Sequence, residues 1–371
     1  MKTKAAVLWG VGEPWKVEEV DLDPPGRGEV LVKLAASGLC HSDEHLVTGD
    51  LVIENFPYIG GHEGAGIVEE VGAGVTAVQK GDHVVLGFIP SCGRCPSCST
   101  GHTNLCDLGA KILAGWQVSD DTSRHHIGGK DAALMCCLGT FSPFTVVNEA
   151  SVIKIDDDIP LDKAALVGCG VTTGYGTAVY AADVQPGDTV VVIGCGGIGT
   201  NAIQGARIAG AQNIVAVDPV EFKRESAEEF GATHTAGSIE EAIPLVTELT
   251  RGAMAQKAMI TTGIAEGADI LMAMAIIGKN GRTVVTGLGR QTDLTVTMSL
   301  LDLTLYQKQL VGSIFGSANP RADIPRLLSL YKQGTLKLDE LVTRTYELED
   351  INQGYADMRE GRNIRGMVLY S

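Results

Sequence analysis

The run Thr189-Val190-Val191-Val192-Ile193 leads into Gly194-Cys195-Gly196-Gly197-Ile198-Gly199 and then into a helical pattern, "TNAIQGARIAGA". Few local patterns restrict a fold as tightly. An unbroken β-branched run is a strand buried on both faces, and such strands belong to parallel sheets covered by helices. The glycines set the corner. Gly194 makes the tight turn, Gly196 lets the backbone approach a pyrophosphate, and Gly199 lets helix pack closely on strand. Around Gly197 and Ile198 the helix N-terminus offers free N–H groups to the phosphate. Asp218 closes the next strand, where a carboxylate bonds both ribose hydroxyls and repels a 2′-phosphate. The expected cofactor is therefore NAD(H) rather than its phosphorylated form. Lys223 follows on the same turn.

The grammar on either side of this motif differs. Up to about residue 150, short Val-, Ile- and Leu-rich segments bounded by Gly, Pro or Asp predict strands: "AAVLW", "EVLVKLAASG", "GAGIVEEVG", "DHVVLGFI" and "FTVVNEASVIKI". From about residue 188, strands alternate with helices, through "NIVAVD", "PVEFKRESAEEFGA", "KAMITTG", "GRTVVTGLG" and "LVGSIFG". That order predicts an α/β chain with a doubly wound parallel sheet beside a β-rich region. Beyond about Gly316, two helical patterns and a final strand "GMVLYS" remain, and periodicity alone does not say which region they join.

Whole-chain properties exclude several classes. The chain has 371 residues and a formal charge of −16, so its surface repels nucleic-acid phosphates. No apolar run approaches the roughly 20 residues of a membrane span. The start "MKTKAAVLWGVGEPWKVEE" lacks the apolar core of a secretory signal, which predicts a cytoplasmic protein with reduced thiols. Nine cysteines therefore read poorly as a disulfide framework, although the odd count leaves room for one bridge.

Four of those cysteines, Cys92, Cys95, Cys98 and Cys106, follow the spacing C-x2-C-x2-C-x7-C in a loop with glycine and proline. Thiolates so spaced converge on one tetrahedral Zn²⁺, and four of them leave no open position. The site reads as structural, with an iron–sulfur cluster as the rival. A catalytic zinc needs three protein ligands and a vacancy. Candidates are Cys40 in "SGLCHSDEH", His62 in "GGHEGAG" and Cys169 in "LVGCGVTTGYG", each among glycines. Singly, each also reads as a buried core residue. Cys136 and Cys137 lack partner spacing and read as packing residues, as does Cys195.

The tracts "GHEGAGIVEEVGAGV", "GLCHSDEHLVTGD", "CGRCPSC", "GCGVTTGYG", "GCGGIG" and "IRGMVLY", in this order, span essentially the whole chain. In them the chain resembles the zinc-containing alcohol dehydrogenases of the medium-chain dehydrogenase/reductase superfamily. "FIPSCGRCPSC", "NLCDLGA" and "VGCGVTTGYG" resemble more narrowly the actinobacterial nicotinoprotein, or N,N-dimethyl-4-nitrosoaniline-dependent, alcohol dehydrogenases. The resemblance implies a GroES-like catalytic domain over 1–171 and 315–371 and a Rossmann coenzyme domain over 172–314. It implies that Cys40, His62 and Cys169 hold a catalytic zinc and the four-cysteine loop a structural one. Glu63 would lie near the metal, and Asp43 would hold the His62 ring. Ser42 and His45 would relay the proton, and Thr173 would line the nicotinamide site. Lys223 and Arg365 would meet the adenosine ribose and the pyrophosphate. Apart from the resemblance, Phe88, just ahead of the cysteine loop, reads equally as part of an apolar substrate wall or as a plain core aromatic.

The implied activity is hydride transfer between an alcohol/aldehyde pair and tightly bound NAD(H), with ping-pong reoxidation by a second small molecule. The implied assembly is a homodimer or homotetramer, without nucleic-acid or membrane partners. A thiol-dependent formaldehyde dehydrogenase with exchangeable NAD is the alternative, and a non-enzymatic zinc-bearing scaffold the third reading. In one departure, His41 stands where many relatives carry an arginine on the pyrophosphate. Imidazole is a weaker, titratable donor.

Overall fold

Glu29–Gly38 is the longest strand of the chain and is buried along most of its length. Three strands flank it. Gly64–Val71 lies antiparallel on one side, while Phe144–Asn148 and the final strand Arg365–Leu369 share the other. The computed structural model describes residues 1–371, in two compact units. Met1–Cys169 and Asn319–Ser371 form one unit and Gly170–Ala318 the other. The segment that periodicity left unassigned thus packs with the strand-rich N-terminal region.

That first unit holds two sheets. The seven-stranded one is built around Glu29–Gly38, and the six-stranded one around Lys2–Leu8, which pairs with Lys16–Leu22 and Tyr58–Ile59. Its main core joins Leu8, Leu34, Leu39, Phe141 and Tyr355. Trp15 meets Phe141 edge-on at 5.8 Å and stacks on Tyr355 at 6.3 Å, arrangements that suit the ring quadrupoles. The stretch "FTVVNEASVIKI" is two strands rather than one, Phe144–Asn148 and Val152–Lys154. Between them the Asn148 side chain accepts from Ala150 N and starts a 3-10 turn, so the chain leaves one partner strand and joins another.

The second unit is a six-stranded parallel sheet. Its spatial order is His234–Ala236, Asn213–Val217, Thr189–Ile193, Ala255–Ile260, Ile277–Val285, Gln309–Gly312. In chain order this is 3-2-1-4-5-6, the doubly wound arrangement whose order reverses beside Thr189–Ile193. Val191, Val215, Ala258 and Ile260 are fully enclosed, as parallel strands between helix layers must be. No helix of the chain is long and apolar enough to cross a membrane.

Candidate active site and structural metal centre

Three chain reversals bring Cys40, His62 and Cys169 together inside the first unit. Cys40 follows Glu29–Gly38 and is the N-cap of the helix His41–Thr48, in an extended conformation. His62 follows Tyr58–Ile59 through Gly60 and Gly61. Gly61 has φ +87°, and a Cβ there would stand 2.6 Å from Phe141 N, so no larger residue fits the turn. Cys169 ends the 3-10 turn Leu166–Gly168. Their three donor atoms all lie within 4.8 Å of one another, and all three residues are buried.

The electrostatics of the trio are those of a cation site. A hydrogen bond from Cys169 holds the Cys40 thiol well below its ordinary value against the cost of burial, with His62 helping. The Cys169 thiol is pushed well up by that same bond and by burial. Burial lowers the His62 value, but the Asp43 carboxylate and Cys40 overcome it and leave the ring well above the ordinary range. Two thiols and an imidazole crowded so closely compete for protons, and a divalent cation replaces those protons with one shared charge. The residues fit zinc.

Around the trio, Asp43 Oδ2 stands 3.1 Å from His62 Nδ1, out of line for a hydrogen bond but close enough for charge pairing. Asp43 Oδ1 accepts the Gly61 N–H at 2.7 Å. Glu63 is fully buried and ion-paired with the buried Arg365. Phe88 meets the His62 ring edge-on at 5.8 Å. Ser42 Oγ accepts from Cys40 Sγ at 3.7 Å. His45, one turn further along the helix, is buried and stands edge-on to His41 at 5.0 Å.

The four-cysteine loop closes on itself. Cys95 caps the short helix Pro96–Ser99, which carries Cys98, and Cys106 sits between two 3-10 turns. Cys92 and Cys98 sulfurs are 4.0 Å apart, and those of Cys95 and Cys106 are 3.9 Å apart. A tetrahedron of Zn–S bonds near 2.3 Å has edges of about 3.8 Å. All four sulfurs lie within 4.8 Å of one another, which suits a single ion rather than a cluster with each thiolate on its own iron. Backbone N–H groups of Cys92, Cys95, Cys98 and Asp107 point at these sulfurs at 3.4 Å. Burial raises the Cys92 thiol, yet N–H bonds from Arg94 and Cys95 bring it down to about 7. Burial pushes Cys106 up to about 12. The set is made for an ion that displaces protons.

In the second unit the glycine turn divides its labour in space. Gly194 has φ +91° and leaves no room for a Cβ beside Thr262. At Gly199 a Cβ would collide with the Gly194 carbonyl oxygen. At Gly196 a Cβ would meet no protein atom within 4 Å, which is the open approach a pyrophosphate needs. The helix Gly197–Ile208 begins there without a side-chain cap, so its first N–H groups are available. Asp218 is buried, its oxygens accepting from Cys195 N at 2.8 Å and Val220 N at 2.9 Å. Lys223 lies in the first turn of the helix Glu221–Phe230. The Thr173 and Thr262 hydroxyls are buried without partners, as polar atoms awaiting a ligand are. Thr262 was not legible in the sequence, since a threonine just past the strand Ala255–Ile260 carries no motif.

Cys136 and Cys137 are buried core residues, both at left-handed φ (+54° and +57°), a conformation bulky residues hold only under surrounding constraint. Cys195 is wholly buried inside the phosphate turn.

A strand-rich unit with a three-ligand metal site and a closed four-thiolate site, together with a doubly wound coenzyme unit, defines a zinc-dependent, nicotinamide-linked oxidoreductase. Residues 26–157 match the alcohol dehydrogenase GroES-like domain and residues 197–333 the zinc-binding dehydrogenase family. The chain is 55% identical to the NDMA-dependent alcohol dehydrogenase of Amycolatopsis methanolica over 371 residues, covering 100% of both chains. It is 53% identical to alcohol dehydrogenase B of Mycobacterium tuberculosis, covering 100% of this chain and 99% of that one. Among solved structures, benzyl alcohol dehydrogenase of Acinetobacter calcoaceticus superposes with a TM-score of 0.92 at 30% identity, 100% of each chain being covered. The chain belongs to the zinc-containing alcohol dehydrogenase family of the medium-chain dehydrogenases/reductases. It is an NAD(H)- and zinc-dependent alcohol oxidoreductase, with a catalytic zinc site at Cys40, His62 and Cys169 and a structural one at Cys92, Cys95, Cys98 and Cys106.

Proposed function

We propose that this enzyme interconverts an alcohol and its aldehyde on NAD(H) that stays bound through turnover, a second small molecule reoxidising the coenzyme in place. The observation that carries this reading is the full-length 55% identity to an enzyme named for its dependence on NDMA. A coenzyme that leaves after each cycle would need no such acceptor.

Zinc and NAD(H), when bound, supply Lewis-acid polarisation of the substrate oxygen and the hydride acceptor. The chain's own residues do the rest. Ser42 takes the hydroxyl proton and gives up its own, and His45 receives it and passes it to solvent. The two are three apart on one helix, hence on the same face. Phe88 forms an apolar wall beside His62, which suits an alcohol with a hydrophobic substituent. Glu63, neutralised by Arg365, keeps a carboxylate near the metal without leaving an unpaired buried charge. Asp218 and Lys223 hold the ribose, Thr173 the nicotinamide, and Arg365 and His41 the pyrophosphate. Because His41 is a weaker donor than arginine, retention rests mainly on the glycine turn and Asp218.

A homodimer or homotetramer is part of the same reading. Gln309–Gly312 ends the parallel sheet, and Leu300, Leu301 and Leu305 on the preceding helix are exposed. Such an edge beside an apolar face suits a second copy. All nine cysteines are free thiols, which suits the reducing cytoplasm.

The test is the absorption spectrum of purified protein after exhaustive dialysis. Adding alcohol without NAD is expected to raise the reduced-nicotinamide band. Protein that turns over only with added NAD, and prefers a thiol–aldehyde adduct, would reject the reading.

A further inference from the structure

The helix His41–Thr48 ends at Gly49, whose φ of +80° turns the chain back on itself. This reversal sets Asp50 Oδ2 3.3 Å from Nδ1 of His45. The same oxygen accepts the Thr48 hydroxyl at 2.5 Å. The His45 side chain is only 3% exposed and that of Asp50 15%, so the pair is largely shielded from water. On this helix the His41 ring stands edge-on to His45, the Glu44 carboxylate is paired with Arg359 at 2.6 Å, and the Asp43 carboxylate faces His62.

We propose that Asp50 is a positioning residue for proton transfer: it holds His45 as the Nδ1–H tautomer, so that Nε2 carries the lone pair that receives the substrate proton. The chemistry allows one arrangement. An ionised carboxylate only accepts, so the nitrogen facing it must bear the hydrogen. Thr48 aims the carboxylate by donating to the same oxygen. When Nε2 takes a proton, the ring becomes an imidazolium already paired with Asp50. Releasing that proton to water restores the starting tautomer, one proton in and one out. Asp50 itself stays ionised throughout. The inference rests on the relay role proposed for His45.

Histidine-selective ¹⁵N labelling of the holoenzyme reads the tautomer directly, and His45→Gln assigns the signal among the eight histidines. The native ring is expected to show Nδ1–H. In Asp50→Ala, and in the isosteric Asp50→Asn should the first fold poorly, the signal is expected to move to Nε2–H or to a mixture. The kcat for alcohol oxidation is then expected to fall about tenfold with KM unchanged. Thr48→Val is expected to give a smaller change of the same kind. An unchanged Nδ1–H signal in both Asp50 variants overturns the proposal, whatever happens to kcat. A shifted tautomer with unchanged kcat overturns its link to proton transfer. If His45→Gln also turns over normally, the relay reading itself fails, while the Asp50–His45 contact stands.

Discussion

Asp43 Oδ2 stands 3.1 Å from Nδ1 of His62, and the other Asp43 oxygen is tied to the Gly61 N–H, one residue before the ligand. The carboxylate is thereby fixed to the turn that delivers the imidazole. With Nδ1 paired to that charge, Nε2 is the nitrogen left for a metal. Asp43→Asn keeps an acceptor for Gly61 but removes the charge beside the ring. Zinc affinity at the catalytic site is expected to fall about 10–100-fold. Competition with a chelator measures this, and unchanged affinity would mean that Asp43 only anchors the turn.

The glycine turn separates folding from binding. Gly199→Ala drives a Cβ into the Gly194 carbonyl, so lower stability and soluble yield are expected. Gly196→Ala has open space and an extended backbone at φ −76°, ψ −163° that alanine accepts. It is expected to melt close to the native apoprotein, yet to lose bound coenzyme. Melting curves of apoprotein and the nicotinamide absorbance of each variant check the contrast. Retained coenzyme in Gly196→Ala would mean that the pyrophosphate does not approach there.

The two motifs differ in how much of them local sequence could reveal. Gly194, Gly196 and Gly199 are required by the turn itself, so strand, turn and helix are written in one short run. The four-cysteine loop is equally local. Cys40, His62 and Cys169 meet only because sheet pairing brings three distant reversals together, and no spacing encodes that meeting. Asn148 broke a predicted strand because its side chain competes for the backbone. Asp50 and Thr262 carried no signal: each acquires meaning from what the fold sets opposite it.

His125 makes the fold acid-sensitive. Burial, aided by the neighbouring His126 charge, lowers its value to about 3; ring Nε2 stands 3.4 Å from Thr145 Oγ1, while Nδ1 is buried without a hydrogen bond. An unfolded histidine titrates near 6.5. Between about pH 6.5 and 3 the unfolded chain therefore binds the extra proton, and stability falls as pH falls. This group alone is expected to cost about 2 kcal/mol at pH 5 relative to pH 7.5. Denaturant unfolding at both pH values, native against His125→Gln, isolates the contribution. Equal losses in the two proteins would remove His125 from the account.

The closed loop contributes to folding rather than to chemistry. Cys98→Ser removes one of four converging thiolates, and lower melting temperature and soluble yield are expected, because a structural zinc stabilises only the folded chain. Thermal melts with and without chelator check this. A variant as stable as the native enzyme would show that the loop folds without its metal.

Elemental analysis of Cys169→Ser, paired with its rate of alcohol oxidation, reaches the central claim most directly. The native enzyme is expected to hold two zinc ions per chain, and the variant one, with native-like melting of the four-cysteine loop and no turnover. A variant that keeps both ions and oxidises alcohol at the native rate would contradict the assignment of catalysis to Cys40, His62 and Cys169.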